Sequence, residues 1–248
     1  MGYDNAEIPR AYLAGYQATG NERYAEVVTE TFDFLQRELQ HPEGGFYSTL
    51  DARSAPPDDP SAGDEEGAFY TWTPEEVHAA IDEETTADLF CERYGVTEAG
   101  NFERTTVLTR SAPIAELAES YDLPESEVED RLEDAREQAF EAREERPRPN
   151  RDEKVLASWN GLLISALAEG AIVLAEDYAE VAVEALEFCR EQLWDPEEER
   201  LSRRFKDGEV RIDGYLEDYA FLARGAFDTY QASGDPDTLG FALDLADA

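Results

Sequence analysis

The sequence predicts an all-α fold: an incomplete (α/α) toroid, with inner helices ringed by outer ones, that carries a small β-hairpin insertion. The first observation is a repeat, because YQATGN at residues 16–21 returns as YQASGD at residues 230–235. A glycine followed by Asn or Asp ends one helix and begins another. The second is that helices apolar on most sides alternate with helices apolar on one side. The third is that long irregular insertions separate the helix pairs, which disfavours the competing α-solenoid.

The helices fall into three pairs. A helix that is apolar all round must be surrounded by protein, whereas a striped helix has one side in water. Strict alternation of the two kinds therefore gives two concentric layers, and we expect the inner helices to begin around a central funnel. The three pairs are predicted over residues 4–19 and 22–40, 159–175 and 177–193, and 217–232 and 236–248.

The region between the first two pairs departs from this pattern. Two short aromatic strands, at residues 44–48 and 68–72, predict a β-hairpin with an acidic, proline-rich loop. Residues 73–76 (TPEE) have the N-cap, the first-position Pro and the third-position Glu of a helix start. An irregular and helical insertion is predicted over residues 91–150, with a long charged helix at 124–145. We expect a single domain spanning the chain, with the hairpin at residues 44–72.

Charge and composition exclude several classes of protein. The chain has 248 residues, 42% of them hydrophobic, which is enough to bury a core. It has 21 basic and 59 acidic residues, giving a formal net charge of −38. Such a charge disfavours nucleic acids and anionic membrane surfaces as partners. We interpret it as a halophilic adaptation to molar intracellular salt, where the screening length falls to about 3 Å, and an ordinary acidic enzyme is the alternative.

Motifs for cofactors, metals and targeting are missing from the sequence. It contains no glycine-rich phosphate loop, nucleophile elbow or metal-ligand cluster, so we expect no cofactor and no metal. Cys91 and Cys189 form no redox pair and are expected to be buried free thiols. His41 and His78 are isolated and expected at the surface. No leader or membrane-spanning run is evident, so a soluble cytoplasmic protein is expected.

Candidate chemistry lies at the starts of the predicted inner helices. Residues 151–161 read RDEKVLASWNG and combine two carboxylates, a rare lysine, an indole and an amide. Acid and base groups at the mouth of a funnel suit sugar chemistry. The structural alternative is that Lys154 pairs with Asp152 or a neighbour and that Ser158 caps the helix. Both readings stay open at this point.

A second group of candidates comes from the repeat. Asp218, at the start of the third inner helix, is the repeat partner of Asp4, and either could be a simple N-cap. The functional hypothesis is that Asp4, Asp152 and Asp218 converge on one cavity. For the aromatic candidates core packing is the alternative. We expect catalytic roles for Asp152, Glu153 and Asp218, and substrate-binding roles for Asp4, Asn5, Tyr70, Trp72, Trp159, Asn160 and Tyr219.

Six stretches along the chain carry a resemblance to a known family. They are YDNA at 3–6, EGGFY and DA at 43–47 and 51–52, EGAFYTWT at 66–73, GNFE at 100–103, DEK and SWNGL at 152–154 and 158–162, and GYLEDYAFL at 214–222. Together they resemble the YyaL-type thioredoxin-fused helical-toroid proteins, known in animals as spermatogenesis-associated thioredoxin-domain proteins. The resemblance implies a six-hairpin (α/α) toroid like that of sugar epimerases and six-hairpin glycosidases. It implies no particular reaction.

Departures from the family pattern limit what the resemblance implies. Glu153 and Glu217 stand where the family usually has Asp. The thioredoxin-like domain and the first part of the toroid do not precede Tyr3, so we expect a fragment without thiol redox chemistry. Epimerases of this fold use histidines on inner helices, and neither His41 nor His78 has such a place, which disfavours epimerisation.

Three functional hypotheses follow. The first is a carbohydrate-active, glycosidase-like domain in which carboxylates at the helix mouths act on a sugar ligand. The second is a non-catalytic binding or scaffold domain for a thioredoxin-like partner or for the missing parts of the toroid. The third is an inactive truncated remnant.

Overall fold

A computed structural model describes residues 1–59, 61, 63–174 and 177–248, and these are mostly helical. Within them the α-helices are α1 Gly2–Thr19, α2 Glu22–Phe34, α3 Pro74–Ala80, α4 Glu84–Tyr94, α5 Ile114–Tyr121, α6 Glu125–Glu144, α7 Ala157–Leu174, α8 Tyr178–Leu193, α9 Leu216–Ser233 and α10 Pro236–Asp247. The strands are β1 Thr49–Leu50, β2 Arg53–Ser54, β3 Glu65–Glu66, β4 Arg151–Asp152, β5 Val155–Leu156, β6 Trp194–Asp195, β7 Arg200–Lys206 and β8 Glu209–Asp213.

The chain divides into two compact units. The first comprises Met1–Leu50 and Arg151–Ala248 and is called the toroid unit below. The second, Asp51–Asn150, is called the inserted unit. The inserted unit contains most of the expected hairpin at residues 44–72 and all of the expected insertion at 91–150.

Three helical hairpins build the toroid unit. α7 lies between α1 and α9 and packs against both, while α2, α8 and α10 each pack on the helix that precedes them in the chain. This layering of inner and outer helices confirms the (α/α) toroid arrangement that the sequence predicts. The closest approach is between α7 and α9, where a Cβ on Gly161 would lie 2.4 Å from the backbone of Phe221. Only glycine allows the two helices to meet at that distance.

Helix ends fall where the repeat predicts them. Gly20 has φ 66° after α1, and the Asn21 side chain accepts a hydrogen bond from the Arg23 N–H to begin α2. Gly234 has φ 73° after α9, and Asp235 caps α10 in the same way. The predicted helix at 22–40 differs in its last turns, because α2 continues as a π-helical segment, Leu35–Leu39. Ala175, the expected last residue of the second inner helix, lies outside the described residues.

The inner helices are not equally buried. α7 is long and apolar enough to cross a membrane by length and composition, but 61% of it is buried inside the protein, as in a core helix. Among the described helices, α1 and α9 each pack against only one other inner helix. They expose Ile8 at 53% and Phe227 at 45%. The expectation of an inner helix that is apolar on nearly every side therefore fits α7 best.

The inserted unit packs α3, α4, α5 and α6 around a core of its own. The predicted helix start is confirmed, because Thr73 and Glu76 form a capping box at α3. The long charged helix is also confirmed as α6. Its buried apolar stripe consists of Val128, Leu132, Ala135 and Ala139.

A small β-hairpin is present in this region as expected, but the prediction of two aromatic strands is wrong. The hairpin in this region pairs β2 with β3, through Arg53 opposite Glu66 and Ser54 opposite Glu65. Residues 68–70 lie in turns and Thr71 belongs to no strand, because the buried Arg146 guanidinium donates to the carbonyls of Phe69 and Thr71 that a strand would need for its ladder. Trp72 makes a single bridge, to Thr106. Residues 44–48 likewise form no strand, and only Phe46 makes a single bridge, to Gln40.

One hairpin in the toroid unit was not expected from the sequence. β7 and β8 are antiparallel and joined by Asp207 and Gly208, which both have positive φ. β7 also pairs with β5, directly before α7. This hairpin brings Arg203 toward the start of α9, where the candidate site lies.

Candidate ligand site at the inner-helix N-termini

The starts of the three inner helices meet at one end of the toroid unit. The Gly2 N–H of α1 donates to the Ser48 carbonyl at 2.8 Å, and the Ser48 hydroxyl donates to the Asp152 carbonyl at 3.0 Å. The Tyr3 and Trp159 rings make an edge-to-face contact at 4.9 Å, which joins α1 to α7. The Ser158 N–H donates to Asp218 at 3.1 Å, which joins α7 to α9.

We call this end the N-terminal face, defined by the residues at the three helix starts and the segment before α7: Tyr3, Asp4, Ser48, Asp152, Lys154, Ser158, Trp159, Arg203, Tyr215, Glu217 and Asp218. The functional hypothesis requires, in addition, that Asp4, Asp152 and Asp218 line one cavity at this end.

Asp218 is fully buried and holds two inner helices together. Oδ1 accepts the Ser158 N–H of α7, and Oδ2 accepts the Tyr215 N–H at 2.9 Å, in the capping box of α9. Oδ2 also accepts Nη1 of Arg203 at 2.9 Å. One carboxylate therefore serves the N-termini of both helices, and burial keeps it from any ligand in this arrangement.

Of the structural alternative, the Lys154–Asp152 pair is present but the Ser158 cap is not. The Ser158 hydroxyl is buried without a hydrogen-bond partner. The orphan N–H at the start of α7 is instead satisfied by Asp218, a residue of another helix. The sequence before α7 suggests a local cap by Ser158, because a distant acceptor such as Asp218 cannot be identified from the sequence.

Arg203 extends the polar contacts toward solvent. Its Nη1 also meets Glu217 Oε1 at 2.8 Å, and its guanidinium lies 4.9 Å from the centre of the Tyr215 ring. The hydrogen bond with Glu217, together with the charge of Asp218, raises the pKa of Arg203, so this side chain is a permanent cation. Tyr219 has a structural contact as well, because its hydroxyl accepts the Leu201 N–H at 2.9 Å.

Asp152 and Lys154 form an accessible ion pair. Lys154 Nζ lies 2.9 Å from Asp152 Oδ2, and the side chains are 39% and 34% exposed, respectively. Burial alone would raise the pKa of Asp152, but its hydrogen bonds with Lys154 and Ser48 and the charge of Lys154 outweigh burial and lower that pKa. Asp152 is therefore ionised at neutral pH. It can accept hydrogen bonds or act as a base, but it is not poised to donate a proton.

Glu153 turns away from Asp152. Successive side chains of an extended segment point to opposite sides. Glu153 accordingly pairs with Arg151 Nη2 at 2.9 Å, and Arg151 lies 4.2 Å from the centre of the Tyr47 ring. The two neighbouring carboxylates are thus held by different partners, and of the two only Asp152 belongs to the N-terminal face.

Several predicted binding residues have structural contacts. Asn160 is fully buried, and its amide bonds both backbone groups of Phe46, at 2.8 and 3.0 Å, and the Leu156 carbonyl at 3.0 Å. Asn5 donates to the Met1 carbonyl at 2.8 Å. Asp4 is more available, since its side chain is 44% exposed.

Tyr70 and Trp72 belong to the inserted unit. Trp72 is buried, and its ring lies 4.0 Å below the Arg146 guanidinium. Tyr70 is exposed and lies 5.7 Å from the Arg143 guanidinium carbon. Their predicted role in substrate binding stays a prediction.

A polar network between the inner helices was missed. Arg10 of α1 makes two bonds to Glu169 of α7, at 2.7 and 3.0 Å, and Arg224 of α9 lies 3.6 Å from the same carboxylate. Arg224 also meets Asp228 at 3.4 Å, and Asp228 accepts the buried Ser165 hydroxyl. The sequence held a signal, because Arg10 and Arg224 are repeat partners and Glu169 interrupts an otherwise apolar helix.

The histidines and cysteines are placed as follows. His41 packs against Tyr47 and Phe188, with ring centres 5.2 and 4.7 Å away, and burial lowers its pKa, so its expected surface position is only partly correct. His78 lies 3.3 Å from Asp88.

Both thiols are free; burial raises the pKa of Cys189 to about 12 and that of the half-buried Cys91 to about 11. Among the described residues no three His, Cys, Asp or Glu side chains are grouped to hold a metal.

Comparison with known proteins identifies relatives of this chain. No protein-family model matches it. Human spermatogenesis-associated protein 20 is 34% identical over 274 aligned residues, which cover all of this chain and 35% of the relative. Uncharacterized protein B0495.5 of Caenorhabditis elegans is 27% identical and covers 99% of this chain and 37% of its own length. The chain therefore spans about a third of the length of the curated relatives it matches.

Solved structures with a similar arrangement are distant. A sugar epimerase from a ruminal bacterium has 13% identity and a TM-score of 0.37, covering 99% of this chain and 58% of its own. The GH76 α-mannanase BT2949 of Bacteroides thetaiotaomicron has 12% identity and a TM-score of 0.36, covering 98% and 59%. Likeness at this level carries no functional argument. The family resemblance is confirmed by the sequence relatives: over its whole length the chain is homologous to a segment of spermatogenesis-associated protein 20.

Proposed function

We propose, from this homology and from the N-terminal face, that the toroid unit binds carbohydrate as part of a longer protein related to spermatogenesis-associated protein 20. The observation that carries the proposal is the meeting of three inner-helix starts, where Asp152, Asp4 and Trp159 remain at least partly accessible. A few polar groups beside an aromatic ring are features that small-molecule sites commonly share.

The chemistry of these groups suits a polyol. Asp152 offers two acceptor oxygens and Lys154 offers donors, so the pair can satisfy neighbouring hydroxyl groups of a sugar. The indole of Trp159, held edge-to-face by Tyr3, supplies an apolar surface for the C–H face of a sugar ring. Asp218 fixes the start of α7 against that of α9, and Asn160 fixes α7 against the segment at Phe46.

Glycoside hydrolysis is a finer hypothesis that needs a second carboxyl group. The acid and base must lie about 5–10 Å apart with the sugar between them. Asp152 is ionised, as a base must be, although its lowered pKa makes it a weak one, while Asp218 is fully buried and Glu153 is held by Arg151. We therefore propose carbohydrate binding first, with Asp152 as the candidate base if a reaction takes place.

Calorimetric titration with mono- and oligosaccharides in molar potassium chloride tests the proposal. We expect Asp152→Asn to weaken binding by about tenfold or more, because a hydrogen bond to a charged acceptor is lost. Glu153→Gln is a matched control, since it removes the same charge one residue away but from a side chain held elsewhere. Absence of binding by any sugar, or equal losses in the two variants, would refute the proposal.

Other parts of the longer protein are proposed as partners. The first and last inner helices, α1 and α9, expose Ile8 and Phe227. An exposed apolar helix face of this kind favours association with another protein surface. The relatives extend well beyond the matched segment, which supports a thioredoxin-like domain or further toroid hairpins as the covering element. A cytoplasmic location without nucleic-acid or membrane partners is proposed from the net charge of −38. Sedimentation velocity tests the apolar faces: the chain alone should self-associate, and Phe227→Glu should reduce this.

A further inference from the structure

A cavity of about 520 Å³ lies within the inserted unit between α4 and α6. Four of the residues that line it are aromatic: Trp72, Phe90, Tyr94 and Phe140. The volume falls within the range of about 300–1,000 Å³ that is usual for small-molecule sites. The walls therefore offer an apolar, aromatic space for one ring-sized group.

The charged residues of the cavity all come from α6 and are not equally satisfied. Arg136 pairs with Glu133 at 3.5 Å, so these two charges neutralise each other. The Arg143 guanidinium meets Glu144 through Nη2 at 3.4 Å, but its Nε is buried and has no hydrogen-bond partner. Because Nε is closed off, a ligand oxygen would meet this cation through the remaining part of the guanidinium, whose side chain is 24% exposed.

Glu137 provides the opposite charge. It lines the same cavity, and among the described residues it has no ion-pair or hydrogen-bond partner. The cavity thus combines an aromatic space, a partly exposed cation and an unpaired carboxylate. These three features match the three parts of an aromatic amino acid.

We propose that this cavity binds a free α-amino acid with an aromatic side chain. The ring fills the space near Phe90 and Tyr94, the carboxylate accepts from Arg143, and the ammonium group pairs with Glu137. A zwitterion is favoured over a simple anion because the cavity presents a carboxylate, Glu137, as well as the Arg143 cation. A simple cation would make no favourable contact with Arg143. The proposal is independent of carbohydrate binding, which concerns the other unit.

A series of three ligands on the unaltered protein tests the assignment. Phenylalanine, 3-phenylpropionate (without the amine) and phenethylamine (without the carboxylate) share the same ring and are titrated by calorimetry in molar potassium chloride. We expect phenylalanine to bind about tenfold or more tightly than either analogue, because each analogue loses one charged contact. No binding of phenylalanine, or equal affinity for all three, would overturn the proposal.

Substitutions then locate the site. Glu137→Gln should reduce the preference for phenylalanine over phenylpropionate to within about threefold. Glu141→Gln is the matched control, because Glu141 is an exposed residue of the same helix that does not line the cavity. Arg143→Lys, which keeps the charge but lacks the planar guanidinium donors, should reduce the preference for phenylalanine over phenethylamine. An unchanged preference in Glu137→Gln, or the same change in Glu141→Gln, would contradict the assignment; if a variant fails to fold, the ligand series on the unaltered protein still decides.

Discussion

Replacement of Asp218 by Asn tests whether this carboxylate holds the fold together. The side chain is fully buried and accepts two backbone N–H groups and Arg203. An Asn side chain keeps one acceptor oxygen, but its NH₂ group would face N–H donors that the second carboxylate oxygen of Asp218 now accepts. Each hydrogen bond to a charged acceptor contributes about 1.5–3 kcal/mol, and an N–H left without an acceptor adds its desolvation cost. Arg203 is 22% exposed and keeps Glu217, so its share is small. We therefore expect a loss of about 3 kcal/mol.

Thermal unfolding followed by circular dichroism measures this loss. For a chain of this length, 1 kcal/mol corresponds to a Tm change of about 2–4 °C, so Asp218→Asn should lower Tm by about 6–12 °C. Asp213→Asn is the matched control, because that carboxylate is 80% exposed and lies 3.8 Å from Arg200. Its Tm should change by less than about 2 °C. If the two variants melt together, the bridging role of Asp218 is refuted and a functional role for this residue becomes the better interpretation.

Three further predictions concern salt, pH and thiols. Dialysis from molar potassium chloride to about 0.1 M should lower Tm, because the screening length grows from about 3 to 10 Å and 59 acidic residues then repel one another; an unchanged or higher Tm would contradict the halophilic interpretation. Burial lowers the pKa of His41 in the folded state, so the unfolded chain binds more protons; stability should fall as pH drops below about 6.5, and chemical denaturation of His41→Gln should lack that component. Burial raises the pKa of both thiols, so a thiol reagent at pH 8 should label both slowly until the chain is unfolded, and Cys91 should react faster than Cys189.

The helix pairs could be predicted because their signals are local. Gly20 with Asn21 and Gly234 with Asp235 supply a left-handed residue and a cap within two positions, and the structure uses both pairs as expected. The β7–β8 hairpin also had a local signal, since Asp207-Gly208 separates two strand-like runs, and it was overlooked. The aromatic strands failed for a non-local reason, because Arg146 lies about 75 positions away from the carbonyls that it occupies.

The candidate site shows the same division. The sequence predicts that the starts of three inner helices meet, because repeated hairpins in two layers place equivalent ends together. It does not predict which groups bond there. Ser158 and Asp218 are 60 residues apart, and Arg203 arrives on a hairpin that was not expected. Which carboxylates are free to meet a ligand depends on these distant partners, so accessibility had to come from the structure.

Several residues that carry the family resemblance have structural roles in this chain. Within SWNGL, Asn160 binds the backbone of Phe46, and Gly161 allows α7 to approach α9 closely. Within GYLEDYAFL, Asp218 caps two helices. These side chains are used by the fold, so sharing them indicates a shared architecture and leaves the reaction open. The proposed ligand site depends instead on accessible neighbours, of which Asp152 pairs locally with Lys154 and Ser48, whereas Trp159 also joins α7 to α1 through Tyr3. Substitution of Asp152 should therefore alter ligand binding with little change in Tm, whereas substitution of Asn160 or Gly161 should lower Tm first.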